Sequence, residues 1–356
     1  MASQFGTKIK VQIFGQSHSA GLGVVIDGLP AGKKVDLEKV QSFLDRRAGG
    51  KNKYSTARKE ADTPEILSGL KDGMTCGAPL CAIFRNANTR SSDYSKTEAL
   101  LRPSHADYTA WIKYDGFQDR SGGGQFSGRL TLPLCFAGAV CMQLLEEEGI
   151  DIFSHILAIG DVKEEPFDLV DITKKKHENG AFPVLREEVG KQMVAYMEQI
   201  AEEGDSVGGI VEIAVTGLPC GVGEPIYDNV ESCMSHVVFG IPAVKGIEFG
   251  MGFEGCLKKG SEVNDSFTMQ GDSVVTATNH SGGIQGGITN GMPVVFRVAF
   301  KPTPSIYKEQ STVDFYGKKD AMLQIQGRHD PCIVPRALPC VEAAAAVVLY
   351  DLLLQK

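Results

Sequence analysis

Polar and apolar residues alternate from Lys8 to Phe14, the period of a strand with one buried face, and Gly21 to Asp27 reads as its partner. Leu37, Val40, Phe43 and Leu44 recur instead at helical spacing. Asp36 is placed to cap that helix, which should stop at Arg46-Arg47 before Gly49-Gly50. Further strands are predicted over residues 79–85, 150–159, 209–216, 243–250 and 293–300. Helices are predicted from Leu130 to Glu148 with Gly149 beyond it, from Glu187 to Glu203 closed by Gly204, from Asn229 to Phe239, and from Val341 to Leu354. The strands carry period-two patterning rather than continuous apolar runs. That favours one-sided antiparallel sheets backed by helices, an α+β class, over a doubly wound parallel sheet. No linker rich in proline and serine interrupts the chain, and only Lys174–Asn179 reads as a solvated insert. Residues 1–356 are therefore expected to form a single domain.

Composition narrows the function classes. A chain of 356 residues with 42% hydrophobic content can bury a large core. No apolar run approaches the roughly 20 residues that span a bilayer, and the opening Met1-Ala2-Ser3-Gln4-Phe5-Gly6 is no secretory signal. A cytoplasmic protein with no membrane partner is expected. The nine cysteines include no C-x-x-C pair, so Cys135, Cys141, Cys233 and Cys340 read as small buried hydrophobes and no metal site is expected. The net charge of −8 argues against a nucleic-acid surface. An acidic protein that binds an anion must concentrate its cations locally. Arg46, Arg47, Arg102, Arg129, Arg328 and Arg336 stand near glycine, histidine or proline, and their planar forks suit carboxylates and phosphates.

The chemistry gathers in loops. Gly327-Arg328-His329-Asp330-Pro331-Cys332 sets a cation, an imidazole and a carboxylate side by side between a glycine and a proline. Gln16-Ser17-His18-Ser19 and Arg102-Pro103-Ser104-His105-Ala106-Asp107 are similar clusters far upstream, so three His-bearing loops point to a composite site for an anionic ligand. Gly15 to Ser19 lacks the last glycine of a nucleophile elbow. Gly122 to Arg129 has glycine spacing near that of a P-loop without its Lys-Ser/Thr, and could still bind an anion at a helix N-terminus. The glycine run Asn279 to Gly291 lacks the dinucleotide-binding order. It reads either as a tight turn or as backbone that approaches a flat ligand closely. Lys301-Pro302-Thr303-Pro304-Ser305 offers a cation and two hydroxyls, suited to a phosphate or to a bare turn.

Taken in order, these motifs resemble the chorismate synthase family nearly end to end. Its Phe-Gly-Glu-Ser-His-Gly is similar to Phe14–Ser19, its Asp-Arg-Arg to Asp45-Arg46-Arg47, and its Arg-Pro-Gly-His-Ala-Asp to Arg102–Asp107. Gly-Gly-Ile-x-Gly-Gly-Ile stands at 282–288, Lys-Pro-Thr-x-Ser at 301–305 and Gly-Arg-His-Asp-Pro-Cys at 327–332. The resemblance implies a β-α-β sandwich assembled as a homotetramer. It implies a redox-neutral 1,4-elimination of phosphate from 5-enolpyruvylshikimate 3-phosphate that requires reduced FMN, with NADPH as an external reductant or a separate flavin reductase. By the same resemblance His18 is the acid at the leaving phosphate, His105 stands beside the reduced flavin, and Asp330 helps to remove the C6 proton. Arg47, Gln125, Phe126, Ser127, Pro242, Ala243, Gly286, Lys301, Pro302, Thr303, Pro304, Ser305 and Arg328 would hold the flavin. Arg46, Arg47, Arg129 and Arg328 would hold the substrate. The chain departs from the family pattern at Gln16, Lys53, Gln125-Phe126 and Pro242. A flavin oxidoreductase and a non-catalytic anion-binding protein could use the same loops; reductant demand equal to product separates the first from a redox-neutral lyase, and tight FMN or phosphate binding without turnover separates the second.

Overall fold

Lys10–Gly15 and Gly21–Asp27 pair as the two partner strands expected, antiparallel, with Gly15 opposite Leu22 and Lys10 opposite Asp27. The computed structural model describes residues 3–50, 61–86, 99–173, 181–325 and 330–356. The predicted insert Lys174–Asn179, the predicted site residue Arg328, the neighbouring His329 and the family departure at Lys53 lie outside the described residues. Gln4–Phe5, Leu80–Arg85 and Glu65–Ser68 complete a first antiparallel sheet of five strands. A second such sheet runs Val244–Phe249, Val294–Phe300, Gly209–Thr216, Asp151–Ile159 and Val162–Lys163.

Two long helices fill the space between the sheets. Thr131–Glu147 packs on strands of both, and Val334–Leu353 packs on it and on the second sheet. A Cβ added to Gly138 would lie 2.3 Å from Ala343, so only glycine permits this approach. One turn earlier, Cys135 Sγ lies 3.8 Å from Cys340 Sγ. The two contacts share a sequence offset of 205, so the helices run parallel and their N-termini share one end of the sandwich. This is the α+β sandwich expected, with a buried apolar cluster that runs from Ile9 to Leu352.

Leu37–Arg47 forms as predicted: Asp36 accepts from the N–H groups of Glu38 at 2.9 Å and Lys39 at 3.1 Å, and the helix ends at Arg47. At the far end of the chain Asp351, buried in the last helix, accepts from the N–H groups of Thr7, Lys8 and Ile9 at 3.0, 2.7 and 2.7 Å. That helix starts at Val334, well before the predicted Val341. Pro335 falls in its first turn, where an N–H has no intrahelical partner anyway, and Pro339 removes one bond from a helix buried almost throughout. A second correction concerns apolar runs. Gly128–Glu147 is long and apolar enough to cross a membrane by length and composition, but 78% of that window is buried inside the fold. It is apolar on all sides because a sheet covers it above and below. Hairpins at Phe267–Gln270 with Ser273–Thr276, and at Gln310–Asp314 with Lys319–Leu323, were not predicted.

Candidate active site

Topology brings the predicted loops to one end of the sandwich. His18 lies in the connection from Gly15 to Gly21, and Asn86 leaves the Leu80–Arg85 strand at the same end, because Gly21 pairs with Arg85. Both long helices begin there, one after Arg129 and the other after Asp330, while the Leu37–Arg47 helix delivers Arg47 at its C-terminus. Parallel helix N-termini favour negative charge at this end of the molecule.

The contacts close a circuit around that end. The His18 ring lies against Gly122, where an added Cβ would stand 2.3 Å from its Cε1. The Gly122 carbonyl accepts from Arg102 Nη2 at 3.0 Å, and Arg102 holds Asp107 through two further bonds at 2.7 and 2.9 Å. Burial works against ionisation of Asp107, but the hydrogen bonds and charge of Arg102 outweigh it and hold the carboxyl below its usual range. His105 follows on the same loop. Its Nδ1 is 2.9 Å from the Pro103 carbonyl, which can only accept, so Nδ1 carries a hydrogen and Nε2 faces Ser305 Oγ at 2.9 Å. Lys301 Nζ donates to the Ser104 carbonyl at 3.0 Å. Ser104 has φ +58, the left-handed region, which explains why the family pattern has glycine there.

From Ser305 the circuit continues through its own loop. The Thr303 carbonyl accepts from Ser206 Oγ at 2.6 Å, and Val207 N–H donates to the Pro331 carbonyl at 2.8 Å. Asp330, the neighbour of Pro331, accepts from Arg336 Nη1 at 2.6 Å, and Arg336 Nε donates to the Arg47 carbonyl at 2.9 Å. The Arg47 side chain reaches Asp62 at 3.4 Å, and the other Asp62 oxygen accepts from Arg129 Nη1 at 2.6 Å. Arg129 Nε donates to Asn86 Oδ1 at 3.3 Å, and the Asn86 amide donates to the Gln16 and Ser19 carbonyls at 3.1 and 2.9 Å, back at the His18 loop.

Most of the predicted residues thus share one end of the fold. Ser127 caps the turn that bears Arg129, accepting from its N–H at 3.2 Å, with Gln125 and Phe126 exposed just before it. Ala243 has φ +73, and its carbonyl accepts from Lys301 N–H at 3.0 Å, so Pro242-Ala243 adjoins the Lys301–Ser305 loop. Two predicted residues fall elsewhere. The Arg46 guanidinium turns inward to a bidentate pair with buried Glu342, 2.6 Å on each arm. Gly286 and Gly287 form the turn of a small hairpin with φ +63 and +87, in line with the turn reading. That hairpin adjoins Pro293 at the start of the Val294–Phe300 strand, whereas Lys301 follows its end. Seven residues at roughly 3.3 Å each separate the two. Asp62 and Asn86 were missed: each stands in a polar stretch with no motif around it. Arg336 stood out only as a cation near a proline.

A family model described as chorismate synthase matches residues 9–354. A protein named chorismate synthase from Pyrococcus abyssi is 47% identical, over 98% of this chain and 97% of its own length. One of the same name from Dehalococcoides mccartyi is 43% identical, over 100% of this chain and 97% of its own. A solved structure titled as the crystal structure of chorismate synthase superposes with a TM-score of 0.78 at 28% identity, covering 99% of this chain and 93% of that one.

Proposed function

Because the chain belongs to the chorismate synthase family, we propose that it eliminates phosphate from 5-enolpyruvylshikimate 3-phosphate to form chorismate. It is a carbon–oxygen lyase of the shikimate pathway. In the reaction the allylic C–O bond to phosphate breaks, C6 loses a proton, and the released electron pair forms the new double bond, with no net oxidation. The observation that carries this reading is the closed circuit that sets the His18 and His105 loops on either side of Gly122 and Arg102, beside two arginines.

Each group has a task that its surroundings support. Arg47 and Arg129 balance the negative charge of the substrate where solvent is scarce and electrostatic attraction is strong. Arg328 belongs to the same set by its motif. His18 gives a proton to the departing phosphate. Asp330, oriented by Arg336, assists the removal of the proton from C6. Arg46 is left out of the substrate set because its charge is already matched by Glu342.

The residues present fit a flavin phosphate. Thr303 Oγ1 is buried with no hydrogen-bond partner among the described residues, next to Ser305 and Lys301. The Lys301–Ser305 loop, Pro242-Ala243, Ser127 and Arg47 would hold reduced FMN, and His105 would stand against it. When bound, reduced FMN supplies an electron-rich ring beside the leaving group and is recovered unchanged. A single-domain, cytoplasmic homotetramer completes the reading, with Gly286 reaching flavin only from another copy. The reduced flavin comes from NADPH through this enzyme or a separate reductase.

The test is anaerobic chorismate formation with trace reduced FMN. Many turnovers per flavin are expected; reductant consumption equal to product would overturn the reading in favour of an oxidoreductase.

A further inference from the structure

Asp62 is the one described carboxylate that touches both arginines assigned to the substrate. Its side chain is 3% exposed, with one oxygen 2.6 Å from Arg129 Nη1 and the other 3.4 Å from Arg47 Nη2. Two guanidiniums thus share this one carboxylate. Arg47 Nε is buried with no hydrogen-bond partner among the described residues. The backbone of Asp62 has φ +50, a conformation that L-residues seldom adopt.

The linkage extends in both directions. Arg129 reaches Asn86, which holds the carbonyls of the His18 loop, and the Arg47 carbonyl is held by Arg336, which holds Asp330. Asp62 therefore joins the segment bearing the proposed acid to the one bearing Asp330, which assists proton removal. Without its charge, the two guanidiniums repel each other and lose their common anchor.

We propose that Asp62 is a positioning residue for the reaction: it sets the spacing of Arg47 and Arg129, and through them the placement of the substrate between His18 and Asp330. This rests on the lyase reading above. A residue with this task governs turnover more than affinity, because the arginines keep their charge without it while the geometry in the transition state is lost.

The experiment compares wild-type enzyme with Asp62→Glu and Asp62→Asn in anaerobic chorismate formation, alongside substrate Kd by titration calorimetry and thermal midpoints. Asp62→Glu keeps the charge, and so the fold, but moves the carboxylate by one methylene. A kcat loss of at least tenfold is expected, with Kd within threefold of wild type. Asp62→Asn should lose at least as much kcat. On an Arg129→Lys background it should add less than threefold, because both substitutions act through the same guanidinium. A kcat within threefold of wild type in both variants, or losses that multiply independently with Arg129→Lys, would overturn the role while wild-type turnover upholds the lyase reading. No chorismate from wild type would defeat both.

Discussion

Replacing Arg46 by alanine tests whether this arginine serves the substrate or the fold. Its guanidinium meets both oxygens of Glu342 at 2.6 Å, and Ser154 Oγ donates to the same carboxylate. The Glu342 side chain is 4% exposed on a helix between two sheets. Arg46→Ala leaves that charge buried with only a hydroxyl to answer it, at a cost of about 3–5 kcal/mol. Unfolding entropy near 2.1 cal/mol/K per residue gives roughly 0.75 kcal/mol/K for 356 residues, so the thermal midpoint should fall by about 4–7 °C. Replacing both partners by methionine removes the charge and fills the space, and most of that loss should be recovered. Differential scanning calorimetry of the single and double variants reads the stabilities, and kcat/KM of each folded enzyme reads the function. A single variant of unchanged midpoint with a hundredfold weaker KM would refute the structural role and restore Arg46 to the substrate set.

His18→Ala and His105→Ala should each lower kcat at least tenfold while circular dichroism stays native, since acid–base help of this kind is typically worth about 10²–10⁴; near-wild-type turnover would dismiss those roles. Asp330→Asn should slow proton removal from C6 with little change in substrate Kd; if affinity alone collapsed, Asp330 would be a partner of its neighbouring arginines instead. Gly122→Ala puts a methyl 2.3 Å from His18 Cε1 at φ +64, so kcat should fall at least tenfold with a stability loss of about 1–2 kcal/mol; full activity would mean that the ring has room to move. Asp107 has a depressed carboxyl pKa in the folded protein. Its stabilisation is thus complete above its unfolded value near 4 and disappears as pH falls through the folded value. Urea midpoints of wild type and Asp107→Asn should differ by a constant amount from about pH 7 to 5 and converge below about pH 4; a gap that ignores pH would refute the pairing.

Periodicity made the sheets and helices legible because each has one face on the core. The Gly21–Asp27 strand is a case in which pattern and structure agree to the residue. Periodicity failed where burial is complete, as in the last helix, whose prolines read as an end although packing on all sides carries the chain past them. It also failed at the Phe267–Thr276 hairpin, whose strands are largely exposed and so have little apolar alternation to display. Among the residues proposed for the site, His18, His105, Arg47, Arg129 and Asp330 stand out in the sequence because motifs surround them. Asp62 was not, because its importance lies in two partners 15 and 67 positions away. Arg46 and Arg47 show the limit of reading neighbours alike: consecutive helix residues point about 100° apart, so one faces Glu342 and the other Asp62.

The clasp between Asp351 and residues 7 to 9 has a consequence for synthesis. Ile9 precedes its anchor by 342 positions. At about 5–20 residues per second the ribosome takes roughly 20–70 s to cover that distance. Throughout that interval the nascent first sheet lacks its fastening, and the Thr131–Glu147 helix packed on it lies open where Val334–Leu353 will later pack. A chaperone has that long to occupy the open face, and a message truncated a few codons before residue 351 yields a polypeptide whose beginning is loose because its end was never made.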